Sequence, residues 1–339
     1  MRVDCYTSAS FAYLDRARVL AETIRAHHPK WRMHLLLCDE EPPGFDWDPA
    51  REDFHSVVRS SDLGIPEFRS WAFGHNIVEF CTAVKGFMLD RLLAEGTESV
   101  VYLDPDIALF APLVDVERLL SDHAVVLTPH LTVAEEADAG IRDNEIGSLK
   151  HGVYNLGFVA VRNCEEGRKF GRWWRDRLHR YCWDDIPAGL FVDQRWCDLA
   201  PALFADVAVL RDPGYNVASW NLGSRPISIG TDGMIRAGDS LLRFFHFTKV
   251  SGVGEQMLRR YAYGRLEVFE LLRYYRARLA VHRPARLPHG WWALNHFRDG
   301  TPIRHEQRIA WRHRVDLRQA FQDPFESGAG SYQEWFMHQ

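Results

Sequence analysis

The sequence predicts an α/β protein built on a mostly parallel, doubly wound sheet, and three observations carry that prediction. The chain opens strand–helix–strand. Residues 3–6 read as a short strand ending in the polar turn Thr7-Ser8. Leu14, Ala17, Arg18, Ala21 and Ile24 recur at helical spacing, and residues 32–39 (RMHLLLCD) read as a second buried strand. A helix signal then precedes an apolar, β-branched run. Asn76 with Glu79 three residues on has the form of a capped N-terminus, Gly96 stops the helix near Ala94, and residues 99–103 (SVVYL) follow as a strand. Further strand-like runs at 124–128, 154–161 and 241–247 alternate with helical stretches at 165–181, 191–199 and 256–280.

Composition narrows the class. The chain has 339 residues, 46% of them hydrophobic, enough for a large core and too many for disorder. The six cysteines form no C-x-x-C pair, which excludes a zinc or disulfide framework and suits a reducing compartment. The N-terminus has no apolar signal core, and no run reaches the ~18 apolar residues of a membrane span. The expected location is therefore the cytoplasm, with contact to the inner face of the membrane an open option. Residues 129–150 are acidic and poorly patterned and read as a mobile loop.

Charge is uneven. The net charge is -5, yet residues 273–318 hold eleven Arg against Asp299, Glu306 and Asp316. A basic, Trp-bearing tail on an acidic body has two readings. It docks on an anionic membrane surface through 282–339, with Trp291, Trp292 and Trp311 at the interface, or it packs on the body as a cap. Nucleic acid is not an expected partner, because the body is acidic and carries no reading motif.

The chemistry centres on Asp104-Pro105-Asp106, directly after SVVYL. In open α/β sheets ligands bind at the carboxyl ends of strands. Two carboxylates one residue apart there can reach one divalent ion, and Pro105 fixes the backbone between them. Such pairs are also common in exposed turns, and the position after a buried strand is what favours a metal. His246, in FFHFTK, is either an imidazole ligand for the same ion or a core histidine. Lys249 meets a phosphate or stands solvated at a strand end. Asp193-Gln194 binds sugar hydroxyls or caps a short helix. Tyr154-Asn155-Leu156-Gly157 and Tyr215-Asn216 read as polar breaks beside apolar runs.

Six elements occur in one order: the opening strand with Thr7-Ser8, YLDPDI (102–107), YNLGFVAVRN (154–163), VDQRW (192–196), PGYN (213–216) and FFHFTK (244–249). Over about residues 1–255 that order resembles glycosyltransferase family 8 and its bacterial relatives. The resemblance implies a GT-A fold over 1–255, a nucleotide-sugar-binding catalytic domain, followed by a helical and irregular extension over 256–339. It implies Mn²⁺ (or Mg²⁺) on Asp104, Asp106 and His246. It places Thr7, Ser8, Lys85, Gly157 and Lys249 with Asp104 and Asp106 at the donor, and Asp193, Gln194 and Asn155 beside the transferred sugar. The implied reaction is transfer from a nucleotide-diphosphate sugar, UDP by resemblance and with retention, to a saccharide or lipid-linked saccharide acceptor of the cell envelope. The late motif departs from the family's, with Lys249 early and no Pro-Trp, and Leu156 replaces the usual Ala. Residues 316–336 resemble a segment that follows such modules in large bacterial polysaccharide enzymes. A sugar nucleotidyltransferase and a non-catalytic glycan-binding module on the same fold are the alternatives. The first is disfavoured because Thr7-Ser8-Ala9-Ser10 lacks a Gly-rich, basic loop.

Overall fold

A computed structural model describes residues 2–250 and 252–338. Strand β1 (Val3–Ala9) is buried at all seven positions, as expected for a strand covered on both faces. Beside it lie β2 (Arg32–Leu37), β3 (Ser56–Arg59) and β4 (Ser99–Leu103). After β4 come the short β5 (Ile107–Leu109), then β6 (Val125–Pro129) and β7 (Tyr154–Arg162). The main sheet has seven strands in the order Val207–Val209, β6, β7, β4, β1, β2, β3. β7 runs antiparallel to both of its neighbours, and every other pair is parallel. The expected α/β, mostly parallel sheet is thus present.

Local readings shift in instructive ways. Thr7 and Ser8 are no turn but part of β1, and both are buried. Short hydroxyl side chains are tolerated there because the strand continues to pair, Thr7 with Leu35 and Ser8 with Leu36. The Asn76–Glu79 capping box is present in both directions, but the helix it starts breaks at Val84 into Ile77–Ala83 and Lys85–Ala94. The acidic segment read as a mobile loop is largely helical from Asp138 to His151. It is tied down by Tyr261, whose hydroxyl donates to Asp143 at 2.7 Å. Residues 241–247 are not one strand. Leu241 ends one short strand, and Phe244–His246 forms another that pairs antiparallel with β5.

The tail packs on the body, the second of the two readings of its charge. Trp292 and Trp311 are 3% and 1% exposed, which corrects their placement at a membrane interface. They join Phe297, Phe325 and Tyr332 in one hydrophobic cluster with Tyr6, Phe73, Phe80 and Tyr102 of the sheet domain. Two of the arginines, Arg308 and Arg312, accompany them inward because backbone carbonyls and one buried carboxylate receive their guanidinium groups. Arg308 donates to the carbonyls of Phe73, His75 and Leu294 at 3.0, 2.8 and 2.7 Å. Arg312 pairs with buried Glu79 at 2.5 Å. Before the cap in the chain, the helix Glu267–His282 packs on α1 (Leu14–His27) and on Phe247. No helix among the described residues is long and apolar enough to cross a membrane.

Candidate active site

β4 ends at Leu103, and the backbone N–H of Asp104 donates to the Gly157 carbonyl of neighbouring β7 at 2.8 Å. That bond, with Pro105, fixes where the two carboxylates start. β5 then pairs with Phe244–His246 in a register that sets His246 opposite Ile107. The short ladder carries His246 across to the acidic pair. Its Nε2 lies 3.0 Å from Asp106 Oδ1 and 3.7 Å from Asp104 Oδ2. Ligand atoms of Asp104, Asp106 and His246 all lie within 4.8 Å of one another. Two hard carboxylates and an imidazole converging at a strand edge fit a manganese- or magnesium-type ion.

Behind this trio sits a buried cation. Lys85 Nζ donates to Asp104 Oδ1 at 3.1 Å and to Asp193 Oδ2 at 3.0 Å, and lies 4.3 Å over the Tyr102 ring. Tyr102 in turn donates its hydroxyl to Asp104 Oδ1 at 2.5 Å. Burial opposes the charge on Lys85, but the two carboxylates outweigh it and raise its pKa. Lys85 is therefore not the surface lysine a helix position would favour, but a fixed positive charge. Burial pushes Asp193 up to about 6, against the pull of Lys85. Ser8 joins the cluster's edge, donating to the Cys81 carbonyl at 2.6 Å. Thr7 is fully buried, and alternation along β1 turns its side chain to the opposite face of the sheet from Ser8.

On the other side of the trio lies an amide network. The Gly157 N–H donates to Asn155 Oδ1 at 3.0 Å, which fixes the orientation of that carboxamide. Asn155 Nδ2 therefore faces Gln194 Oε1 at 3.1 Å and His130 Nε2 at 3.0 Å. Since Nδ2 only donates, His130 Nε2 must accept, and its proton sits on Nδ1. Burial pushes the His130 pKa down to about 4, so the ring is neutral at physiological pH. Imidazole nitrogen shifts followed by NMR should show one neutral Nδ1–H tautomer with no titration from pH 8 down to pH 5; a midpoint near 6.5 would refute the assignment. Gln194 Oε1 also accepts from the Leu156 N–H at 3.1 Å, and its Nε2 donates to the His151 carbonyl at 3.1 Å. Asn216, at φ +53, completes the network by donating to Asn155 Oδ1 at 3.0 Å. Asn155 thus spends both donor hydrogens and both acceptor positions inside the protein. It shapes the wall of the site through its neighbours.

The structure brings together Ser8, Lys85, Asp104, Asp106, Asn155, Gly157, Asp193, Gln194 and His246. Lys249 stands apart, exposed on the turn after the strand at φ +48. Sequence reasoning missed His130, Tyr102 and Asn221, whose side-chain nitrogen bridges the His130 and Asn216 carbonyls at 3.1 and 3.0 Å. His130 had one legible signal, its place directly after the buried run of β6. Asn221 had none.

Gly157 is required for space. A Cβ there would meet His246 Cε1 at 2.6 Å, Nδ1 at 2.8 Å and Asn155 Oδ1 at 2.7 Å. Gly157→Ala should displace the His246 ring and weaken Mn²⁺ binding by about 10–100-fold, the range seen when a ligand loses its orientation. Overpacking should also cost about 1–3 kcal/mol. A metal titration and a thermal melt check both, and unchanged Mn²⁺ affinity would remove His246 from the ligand set.

No protein-family model matches the chain. It is 27% identical over 174 residues to YfnF of Bacillus subtilis (strain 168), covering 50% of this chain and 56% of that protein. It thus spans little more than half of that relative's length. It is 24% identical over 272 residues to YfnD of the same organism, covering 77% of this chain and 82% of that protein. Both relatives are described as uncharacterized. Among solved structures it is similar to the galactosyltransferase LgtC in complex with donor and acceptor sugar analogs, at TM-score 0.43 and 16% identity, covering 85% and 98% of the two chains. It is also similar to apo glycosyltransferase GlyE of Streptococcus pneumoniae TIGR4, at TM-score 0.45 and 12% identity, covering 82% of this chain and 64% of that one. The functional reading rests on the residues themselves.

Proposed function

We propose that this chain is a metal-dependent glycosyltransferase that moves a sugar from a nucleoside-diphosphate donor to a saccharide acceptor. The observation that carries the proposal is the convergence of Asp104, Asp106 and His246 at the carboxyl edge of the sheet, with the Lys85–Asp193 pair buried beside it. Mn²⁺ or Mg²⁺ would be held by those three side chains and would neutralise the departing diphosphate. The remaining work belongs to the chain. Lys85 holds Asp104 and Asp193 in place and offsets their charge. Asp193 keeps its second oxygen for a sugar hydroxyl, and Gln194 keeps one amide hydrogen for the same use. His130, Asn155 and Asn216 fix the wall against which the sugar lies, so positioning supplies much of the rate. In this reading Asp193 lies beside the transferred sugar, and Lys85 already holds it. We therefore favour retention by attack on the same face, with the leaving phosphate taking the acceptor proton. UDP as the nucleotide and an envelope glycan as the acceptor follow from the family resemblance.

The test is a calorimetric titration of UDP into the protein with and without Mn²⁺, repeated with GDP and ADP. Binding of one nucleotide only with metal is expected. Release of inorganic diphosphate from a nucleoside triphosphate and a sugar phosphate would instead make the chain a nucleotidyltransferase.

A further inference from the structure

The charges at the site do not balance once a donor is added. Asp104, Asp106 and Asp193 bring three negative charges, and Lys85 and a divalent ion bring three positive ones. A nucleoside diphosphate adds at least two more negative charges. Lys85 is already engaged by Asp104 and Asp193, and Lys249 stands on an exposed turn. A further cation is needed where the diphosphate lies.

Arg16 is placed to supply it. It sits in the first turn of α1 with its guanidinium 4.1 Å over the Tyr13 ring. Among the described residues only one of its terminal nitrogens is used, donating to neighbouring Asp15 at 3.1 Å and to the Ala12 carbonyl at 3.4 Å. The rest of the planar fork is free for a second anion. α1 runs alongside the segment that follows Asp106: the Leu113 N–H donates to His28 Nε2 at 2.7 Å and the Leu109 N–H to Thr23 Oγ1 at 3.1 Å, so the first turn of α1 comes level with Asp106. Tyr13 is 39% exposed.

A second, independent observation comes from the C-terminal helix Glu267–His282. Tyr275 is fully buried, and its hydroxyl has no hydrogen-bond partner among the described residues. Its ring stacks on Phe247 at 4.0 Å, and the Phe247 N–H donates to the Asp106 carbonyl at 2.8 Å. Leaving such a hydroxyl unpaired is costly.

We infer that Arg16 and Tyr275 form a diphosphate subsite beside Asp106, with the guanidinium taking phosphate oxygens and the tyrosine hydroxyl donating to one of them. The C-terminal extension thereby contributes a residue to the donor site. This inference rests on the donor reading above.

The test titrates UDP and inorganic diphosphate, each with Mn²⁺, into the unaltered chain, Arg16→Gln, Arg16→Lys and Tyr275→Phe. Arg16→Gln and Tyr275→Phe should each weaken both ligands by about tenfold or more, typical of losing a hydrogen bond to a charged group. Arg16→Lys should recover part of the loss. Mn²⁺ alone should bind Arg16→Gln as well as before or more tightly, since a repelling charge has gone; a damaged fold would do the opposite. Equal binding of both ligands by Arg16→Gln and the unaltered chain overturns the subsite and leaves the donor reading standing. Equal binding by Tyr275→Phe removes Tyr275 from it. Failure of the unaltered chain to bind either ligand with Mn²⁺ overturns the donor reading and the subsite together.

Discussion

Asp106→Asn is expected to keep the fold and to abolish metal-dependent donor binding and turnover. The substitution is nearly isosteric at a side chain that touches His246 Nε2 at 3.0 Å and is not used by Lys85 or Tyr102. It therefore removes one anionic ligand and little else. Loss of an outer-shell partner alone typically costs about 10–100-fold in metal affinity, so loss of a direct ligand should exceed about 100-fold. Turnover should fall by at least about 10³, because charge neutralisation at the leaving group goes with the metal. Asp104→Asn is a poorer probe. It also breaks the bonds from Lys85 and Tyr102, and leaves the buried ammonium with Asp193 alone. A stability measurement separates binding from folding. The unaltered chain should gain about 2.7 kcal/mol at a Mn²⁺ concentration 100 times its dissociation constant. Asp106→Asn should melt near the metal-free value with or without Mn²⁺. Normal turnover in Asp106→Asn would sink the metal-dependent mechanism.

What the sequence could show was local. The Asp-Pro-Asp site was legible because a β-branched run ends directly before it, so its place at a strand edge followed from neighbours in the chain. The Asn76–Glu79 box was legible for the same reason: donor and acceptor are three residues apart. His246 was harder, since its approach to Asp106 depends on a three-residue ladder between segments more than a hundred residues apart. Its pattern taken alone favoured a core histidine. His130 and Asn221 depend on contacts among loops whose register no local pattern encodes. Thr7 and Ser8 misled because hydroxyl residues favour turns, whereas here β1 continues through them with both side chains inside. The tail misled for a related reason. Composition displays charge but not the acceptors that charge will find: a run of eleven arginines looks like a solvated or membrane-facing surface, yet Phe73, His75 and Gly74 turn their carbonyls toward two of them, Arg308 and Arg312.

Arg312→Ala is expected to destabilise the protein by about 3–5 kcal/mol, because it would leave the Glu79 carboxylate buried without its cation. Both side chains are nearly inaccessible, and Arg312 also donates twice to the Gly74 carbonyl, at 2.9 and 2.6 Å, and covers the Trp183 ring at 4.8 Å. Glu79 is a junction. Its carboxylate accepts from the Asn76 N–H at 2.9 Å, completing the capping box, and from the Asp184 N–H at 3.0 Å. Asp184 begins the hairpin that leads into Asp193. Losing Arg312 should therefore loosen both the helix that delivers Lys85 and the segment that delivers Asp193. Weaker donor binding should accompany the lower melting temperature, although residue 312 is in the tail. Replacing both partners by uncharged residues of similar shape, Glu79→Gln with Arg312→Met, should cost less than the two single changes together, since neither charge is then left alone. A tail that merely lay on the surface would show a change within about 0.5 kcal/mol for Arg312→Ala and additive behaviour in the pair, and that result would return the extension to the role of a detachable, membrane-seeking arm.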